Sequence, residues 1–400
     1  MSFNSHEAGE TAFIPSRKRL VVFFADFPPV ANAGAQRAYH QILALSRRYH
    51  ISLYTCSLSK APPLPDHIQV TQYPMRTPQN GKNLFVRIIR ELSFCVFSCL
   101  TACRCRCDAG LVSIPPFLLL LPIFVLQLRK KSTFIDMRDL YPEAYFEQGL
   151  VNRSGVAGGI LRKISKSIFN ASSHIFTVSD GMKSHFQTMT STPITVIRNG
   201  FDFSGQNETP QAFFKKEAGW TYVITHGNFG RFQNVPLLNK IIISLRKEAV
   251  KFIIAGFGSH YDDVADGPNV IKLGHIAHEN IASLLADADI GLSVRKSSTV
   301  GATTIPVKLY ECIGAGIPCI SIPRMADVDF MEHDGSVLQF GDTEWKSAVQ
   351  FIKRCCADGS LLAELKTDVS QAVHLHRRGF LNEKMAEVVS SVMCKRTTEH

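Results

Sequence analysis

A chain of 400 residues with 45% hydrophobic and 20% charged side chains folds as a globular protein, and it is too long for one ordinary core. Two domains of moderate size are expected. The formal net charge of +10 favours an anionic partner, either a membrane surface or a phosphorylated substrate. Nucleic acid is not expected, because neither an aromatic-interleaved basic motif nor a zinc-finger spacing is found.

In chain order, residues 1–17 are polar and Gly/Ser-containing and read as a disordered leader. No secretory signal opens the chain: the apolar run Leu20–Phe24 is short and passes at once into Ala25-Asp26-Phe27-Pro28-Pro29. From Arg19 onward, short β-branched runs alternate with amphipathic stretches. Leu20–Phe24 reads as a strand, Gly34–Arg48 as a helix and Ile51–Cys56 as a strand. Ala109–Val112, a helix over 115–128, Ser132–Asp136, His174–Val178 and Ile194–Ile197 continue the series. The polar stretch Ser204–Gln211 reads as a linker. The pattern then restarts with Tyr222–His226, a helix over Val235–Lys247, Phe252–Ala255, Val270–Leu273, Ile281–Ala286 and Ile290–Val294. Leu361–Met393 reads as a helical tail. The alternation predicts an α/β protein of two Rossmann-like, doubly wound parallel-sheet domains. The expected boundaries are 18–203, 204–375 and a tail 376–400 that packs back across the first domain. A ligand belongs in the central cleft, at the carboxyl ends of both sheets.

Two segments are markedly apolar, Phe94–Ala102 and Pro115–Leu128, but neither gives the ~18 uninterrupted residues of a spanning helix. They read either as buried helices of an α/β layer or as a membrane-facing surface. Lys82, Arg87 and Arg90 before the first, and Arg129, Lys130 and Lys131 after the second, suit the latter. Eleven cysteines without a C-x-x-C pair read as reduced thiols and a cytosolic location. Cys103, Cys105 and Cys107 lack the histidines that would complete a metal site, and none is expected.

Several strand ends carry small or charged residues. The loop Asp26–Arg37 contains Gly34 at a helix start, where backbone N–H groups are open to a substrate. Asp136-Met137-Arg138-Asp139-Leu140-Tyr141-Pro142-Glu143 follows a strand. Arg138 and Asp139 there either pair structurally or point into the cleft, with Asp139 as ligand or general base for an acceptor hydroxyl. In His226-Gly227-Asn228-Phe229-Gly230-Arg231-Phe232-Gln233-Asn234, the residues Asn228 and Gln233 and the Gly230 turn suit a diphosphate, and Arg231 would neutralise it. Gly256 lies in another turn, either a packing turn or a contact to a nucleotide base. The most informative stretch is Ile305–Ser321. Pro306 opens a short helix, Gly314 and Gly316 end it, Lys308 adds a cation near its start, and Glu311 offers a carboxylate to a pair of hydroxyls.

Phe27-Pro28-Pro29…Gly34-Ala35-Gln36-Arg37, Arg138-Asp139-Leu140-Tyr141-Pro142, Val196–Asp202, Gly227-Asn228-Phe229-Gly230 with Gln233, and Pro306–Glu311…Gly316-Ile317-Pro318 stand in one order across both halves. Together they resemble the retaining glycosyltransferases of the GT-B fold, family four, particularly members acting on lipid-linked sugars in surface-polysaccharide assembly. The resemblance implies a UDP- or GDP-sugar donor held by the second domain and a polyprenyl-linked or glycan acceptor held by the first. It implies Glu311 on the ribose hydroxyls, the Gly34 loop near the donor, no metal and no cofactor. The enzyme would work at the cytoplasmic face of an anionic membrane as a peripheral protein. Thr303 stands where the family's other glutamate is expected. A nucleotide-sugar epimerase of the same fold, or a non-catalytic nucleotide-sugar-binding partner of an active transferase, remains open.

Overall fold

The computed structural model describes residues 17–28, 32–57, 59–77, 84–147, 149–203, 212–230, 232–297 and 305–398. The leader to residue 16, the linker stretch 204–211, Lys82, Arg231 and Thr303 lie outside the described residues. Two all-parallel sheets organise the chain. The first holds β1 (Arg19–Phe23), β2 (His50–Cys56), β3 (Ile68–Tyr73), β4 (Ala109–Ile114), β5 (Ser132–Met137), β6 (His174–Thr177) and β7 (Ile194–Val196), in spatial order 3-2-1-4-5-6-7. The second holds β8 (Thr221–Asn228), β9 (Val250–Phe257), β10 (Val270–Gly274), β11 (Ile290–Val294), β12 (Cys319–Ile322) and β13 (Val337–Gln339), in order 10-9-8-11-12-13.

The near-continuous apolar strands follow from this arrangement, because a parallel sheet covered by helices is buried on both faces. In β1, Val21 and Phe23 face one core while Leu20 and Val22 face the other, as the two-residue period of a strand requires. The helices Leu84–Arg104, Leu120–Leu128 and Val156–Ala171 cover the first face. The helices Ala33–Ser46 and Arg378–Thr398 cover the second, where Met385, Ala386 and Val389 pack with Ile42 and Leu45. The second sheet is likewise sandwiched, with Val307–Gly314 against one face and Val235–Ser244 and Trp345–Ala357 against the other.

The chain crosses between the halves twice, and the crossings bond to each other. Phe201 N donates to His376 O (3.0 Å) and Arg378 N donates to Phe201 O (2.8 Å). The Arg378 guanidinium adds bonds to Asn199 O (2.9 Å) and Gly200 O (3.0 Å).

Five elements differ from the sequence reading. The 115–128 helix begins later, as a 3₁₀ turn at Phe117–Leu119 and an α-helix at Leu120, because Pro115 and Pro116 force an extended entry. The tail is two helices, Gly359–Ala372 and Arg378–Thr398, separated by the crossing. The edge strands β3 and β13 were not expected. One is half-exposed and lacks a continuous apolar run; the other has three residues. Gly256 lies within β9 rather than in a turn after it, paired in register with Gly227.

Candidate functional site

Strand order reverses between β1 and β4 in the first sheet and between β8 and β11 in the second, and the loops at these carboxyl ends carry the candidate residues. At the end of β5, Asp136 is fully buried. It accepts from Arg37 Nη2 (2.7 Å) and Nε (3.1 Å), Gln41 Nε2 (3.1 Å) and Ser113 Oγ (3.1 Å). Burial alone would raise its pKa, but the Arg37 charge and hydrogen bonds outweigh that and hold it below the usual range. Arg37 also donates to Ile197 O (2.8 Å), so this buried pair ties a helix, two strands and the first crossing together.

Arg138 follows two residues later. Its Nη2 donates to Pro115 O (2.7 Å) and lies 3.4 Å from Asp26 Oδ2. A side chain at Gly34 would overlap the Arg138 guanidinium, so what Gly34 supplies is room for that cation. Arg138 therefore pairs with Asp26 of the β1 loop, not with its neighbour Asp139. Asp139 is half-buried on the same edge. Burial lowers the pKa of Arg295, beyond β11 in the second unit, and the Asp139 carboxylate opposes that shift, so the two lie within electrostatic reach across the cleft.

In the second unit, β8 ends in His226, Gly227 and Asn228. Gly227 takes a left-handed φ of 101° while still paired in register with Gly256, one residue before the strand ends. Asn228 is exposed, with its side chain over Gly230 and Gly258, at whose Cα positions a Cβ would crowd its amide. A Cβ on Gly256 would overlap Gly227 O, so Gly256 acts here through strand packing. The Gln233 backbone N–H closes the turn onto Gly230 O (3.0 Å). Its amide, oriented to satisfy both neighbours, donates to Val294 O (2.9 Å) and accepts from Lys308 Nζ (2.9 Å).

Pro306 precedes the Val307–Gly314 helix and Gly316 follows it at φ 73°, so the helix is one of two turns with a fixed start and stop. Lys308 and Glu311, three residues apart, fall on one face. Lys308 is half-buried, with its ammonium 5.9 Å from the Phe229 ring centroid and no carboxylate in ion-pair contact among the described residues. Burial first, and then the neighbouring Arg295 charge, bring its pKa down to about 8. Arg295 lies over the Phe232 ring at 5.6 Å.

Glu311 Oε2 meets His226 Nε2 at 2.8 Å, which orients the carboxylate and leaves its other oxygen for a ligand. Burial pushes Glu311 up, but the His226 bond and charge prevail and hold it ionised. The structure thus groups Lys308, Glu311, Gln233, Asn228 and Gly230 on one edge, with Arg138, Asp139 and Gly34 on the facing one. Gly256 supports the former from below. His226, Asp26 and the Arg37–Asp136 pair had not been assigned roles; each finds its partner 85 to 112 residues away, beyond the reach of local spacing.

Residues 221–358 match the family model "Glycosyl transferases group 1". No curated protein matches the chain. Among solved structures, sucrose-phosphate synthase from Thermosynechococcus elongatus superposes with a TM-score of 0.70 at 13% identity, covering 95% of this chain and 100% of that one. WaaG, a glycosyltransferase involved in lipopolysaccharide biosynthesis, gives 0.65 at 13% identity, with 92% and 99% covered. HepE of Anabaena, in complex with UDP, gives 0.65 at 14% identity, with 93% and 100% covered. The chain therefore has the GT-B fold, and residues 221–358 of its second half are similar to the group 1 glycosyltransferases.

Proposed function

We propose that the protein is a retaining glycosyltransferase that moves a sugar from a UDP- or GDP-sugar to a polyprenyl-linked or glycan acceptor in surface-polysaccharide synthesis. The observation that carries this reading is Lys308, a half-buried cation with no carboxylate in ion-pair contact among the described residues, beside an ionised Glu311 at the switch point of the second sheet. Burial of a charge without a counter-ion is costly, and a bound diphosphate offsets that cost. HepE holds UDP on the same fold, and WaaG serves lipopolysaccharide synthesis. Both agree with the donor and the pathway.

In this reading Lys308, Arg295 and the Val307–Gly314 helix start carry the diphosphate, and Glu311 accepts from the ribose hydroxyls. The bond from the anomeric carbon to the diphosphate breaks as an acceptor oxygen bonds to that carbon. Asp139 holds the acceptor hydroxyl and takes its proton. The protein contributes positioning and stabilisation of the leaving charge. The reaction takes place at the cytoplasmic face of an anionic membrane.

A thermal-shift screen of UDP, GDP and their sugars tests the donor: a ligand at about 100 times its dissociation constant adds ~2.7 kcal/mol of stability. Nucleotide release from a panel of nucleotide-sugars with a lipid acceptor then tests transfer. If Lys308→Ala and Glu311→Ala keep full turnover, the site is misassigned. Isomerised sugar without an acceptor would mean an epimerase, and tight nucleotide binding without turnover a binding partner.

A further inference from the structure

One surface of the first unit is apolar where the rest is polar. The helices Leu84–Arg104, Leu120–Leu128 and Val156–Ala171 lie side by side over the first sheet, anchored by buried Phe94, Ala102, Ile123, Leu126, Ile168 and Phe169. Their outer faces are apolar as well. On the longest helix, Phe85, Ile88, Ile89, Leu92, Val96 and Leu100 recur at helical spacing, each at least 50% exposed. Leu121, Phe124 and Leu128 repeat this on the second helix, and Val156, Ile160 and Ile164 on the third. Twelve of the seventeen large apolar side chains exposed among the described residues sit on these three helices, a concentration that marks an interaction surface. None of the described helices is long and apolar enough to cross a membrane.

Charge selects the occupant. Arg87, Arg90 and Arg104 flank the first stripe, and Lys163 and Lys166 stand exposed beside the third. Glu91 is the one carboxylate on the three helices, and it is turned inward, accepting from Leu118 N (2.8 Å). Two copies meeting through this face would press cation rims together. An anionic bilayer satisfies both the apolar stripe and the rim. Topology adds a direction: each helix leads into a parallel strand, so Phe85, Leu121 and Val156 lie toward the carboxyl edge that carries Arg138 and Asp139.

We propose that this three-helix face docks the protein on an anionic lipid surface, with the aliphatic stripe among the acyl chains and the cations on the headgroups. The proposal rests on the transferase reading only for its consequence, a lipid-linked acceptor delivered at the cleft mouth. Docking is measured without turnover or nucleotide.

The test is co-sedimentation of the full chain with vesicles of phosphatidylcholine, with and without phosphatidylglycerol, across a salt series. Expected is binding to the anionic vesicles that weakens with salt. Leu92→Glu/Val96→Glu should weaken it about tenfold or more by removing apolar insertion. Lys163→Glu/Lys166→Glu should weaken it about tenfold at low salt and little at high salt. Circular dichroism melting should be unchanged in both, since all four side chains are at the surface, and a loss of fold in one pair leaves the other as the test. Equal binding to both vesicle types, or full binding by a folded variant, overturns the proposal. So does a dimer dispersed by Leu92→Glu/Val96→Glu with no vesicle binding.

Discussion

The two cleft edges handle positive charge in opposite ways. On the first, Arg37 and Arg138 are each matched by a carboxylate, Asp136 and Asp26. On the second, Lys308 is packed, half-buried, against a ring and an amide oxygen, with Arg295 adding to the same positive field. Balanced charge holds architecture together; unbalanced charge stores affinity for an anion. Under the proposed function, the contrast separates residues that shape the cleft from residues that use it.

The strongest way to break this comparison is Arg37→Met, which strands Asp136 in the core. A loss of about 3–5 kcal/mol in denaturant unfolding is expected. Because Asp136 titrates below its unfolded value, the contribution of the pair is present above the unfolded pKa and is lost as pH falls through the folded one. The cost of the substitution should therefore shrink in acid. A full cost that persists in acid would count against charge as the cause.

Lys308→Met should do the reverse. Nucleotide affinity by calorimetry falls about 10- to 100-fold with the loss of a charge-assisted contact. The melting temperature of the ligand-free protein rises, since a partly desolvated cation is removed. If both quantities fall, Lys308 belongs with the architectural set.

Glu311→Gln should weaken binding about tenfold, with 2′-deoxy-UDP affected far less than UDP, because the hydroxyl is the partner lost. The smallest effect is that of pH. With Lys308 titrating near 8 in the free protein, affinity for a diphosphate holds below that value. It declines severalfold as pH rises through it, because the free ammonium loses its proton. Lys308→Met should flatten the profile, and an unchanged slope would assign it to another group.

Much of the layout was legible because it is local. Apolar runs such as Leu20–Phe24 match strands buried on both faces, and the spacing of Lys308 and Glu311 puts them on one helical face. Pairings set by strand order were hidden. Arg138 sits beside Asp139 in the sequence, yet the neighbouring positions of β1 and β5 around β4 bring it to Asp26. Gly256 has the look of a ligand-contacting turn residue, but register places it against Gly227. The apolar 84–104 stretch could be assigned to a helix and not to a face. Residues Phe94 and Val96 are equally apolar in composition and lie on opposite sides, one buried and one 51% exposed.

The helix Arg378–Thr398 has a consequence for synthesis. It closes one wall of the first core, yet it leaves the ribosome only after the whole second sheet has been made. Until then Ile42, Leu45 and Tyr49 lack their cover, and the first half waits, incomplete, for its younger neighbour to be finished. Cutting the chain ahead of Arg378 would remove part of the hydrophobic interior of the half made first.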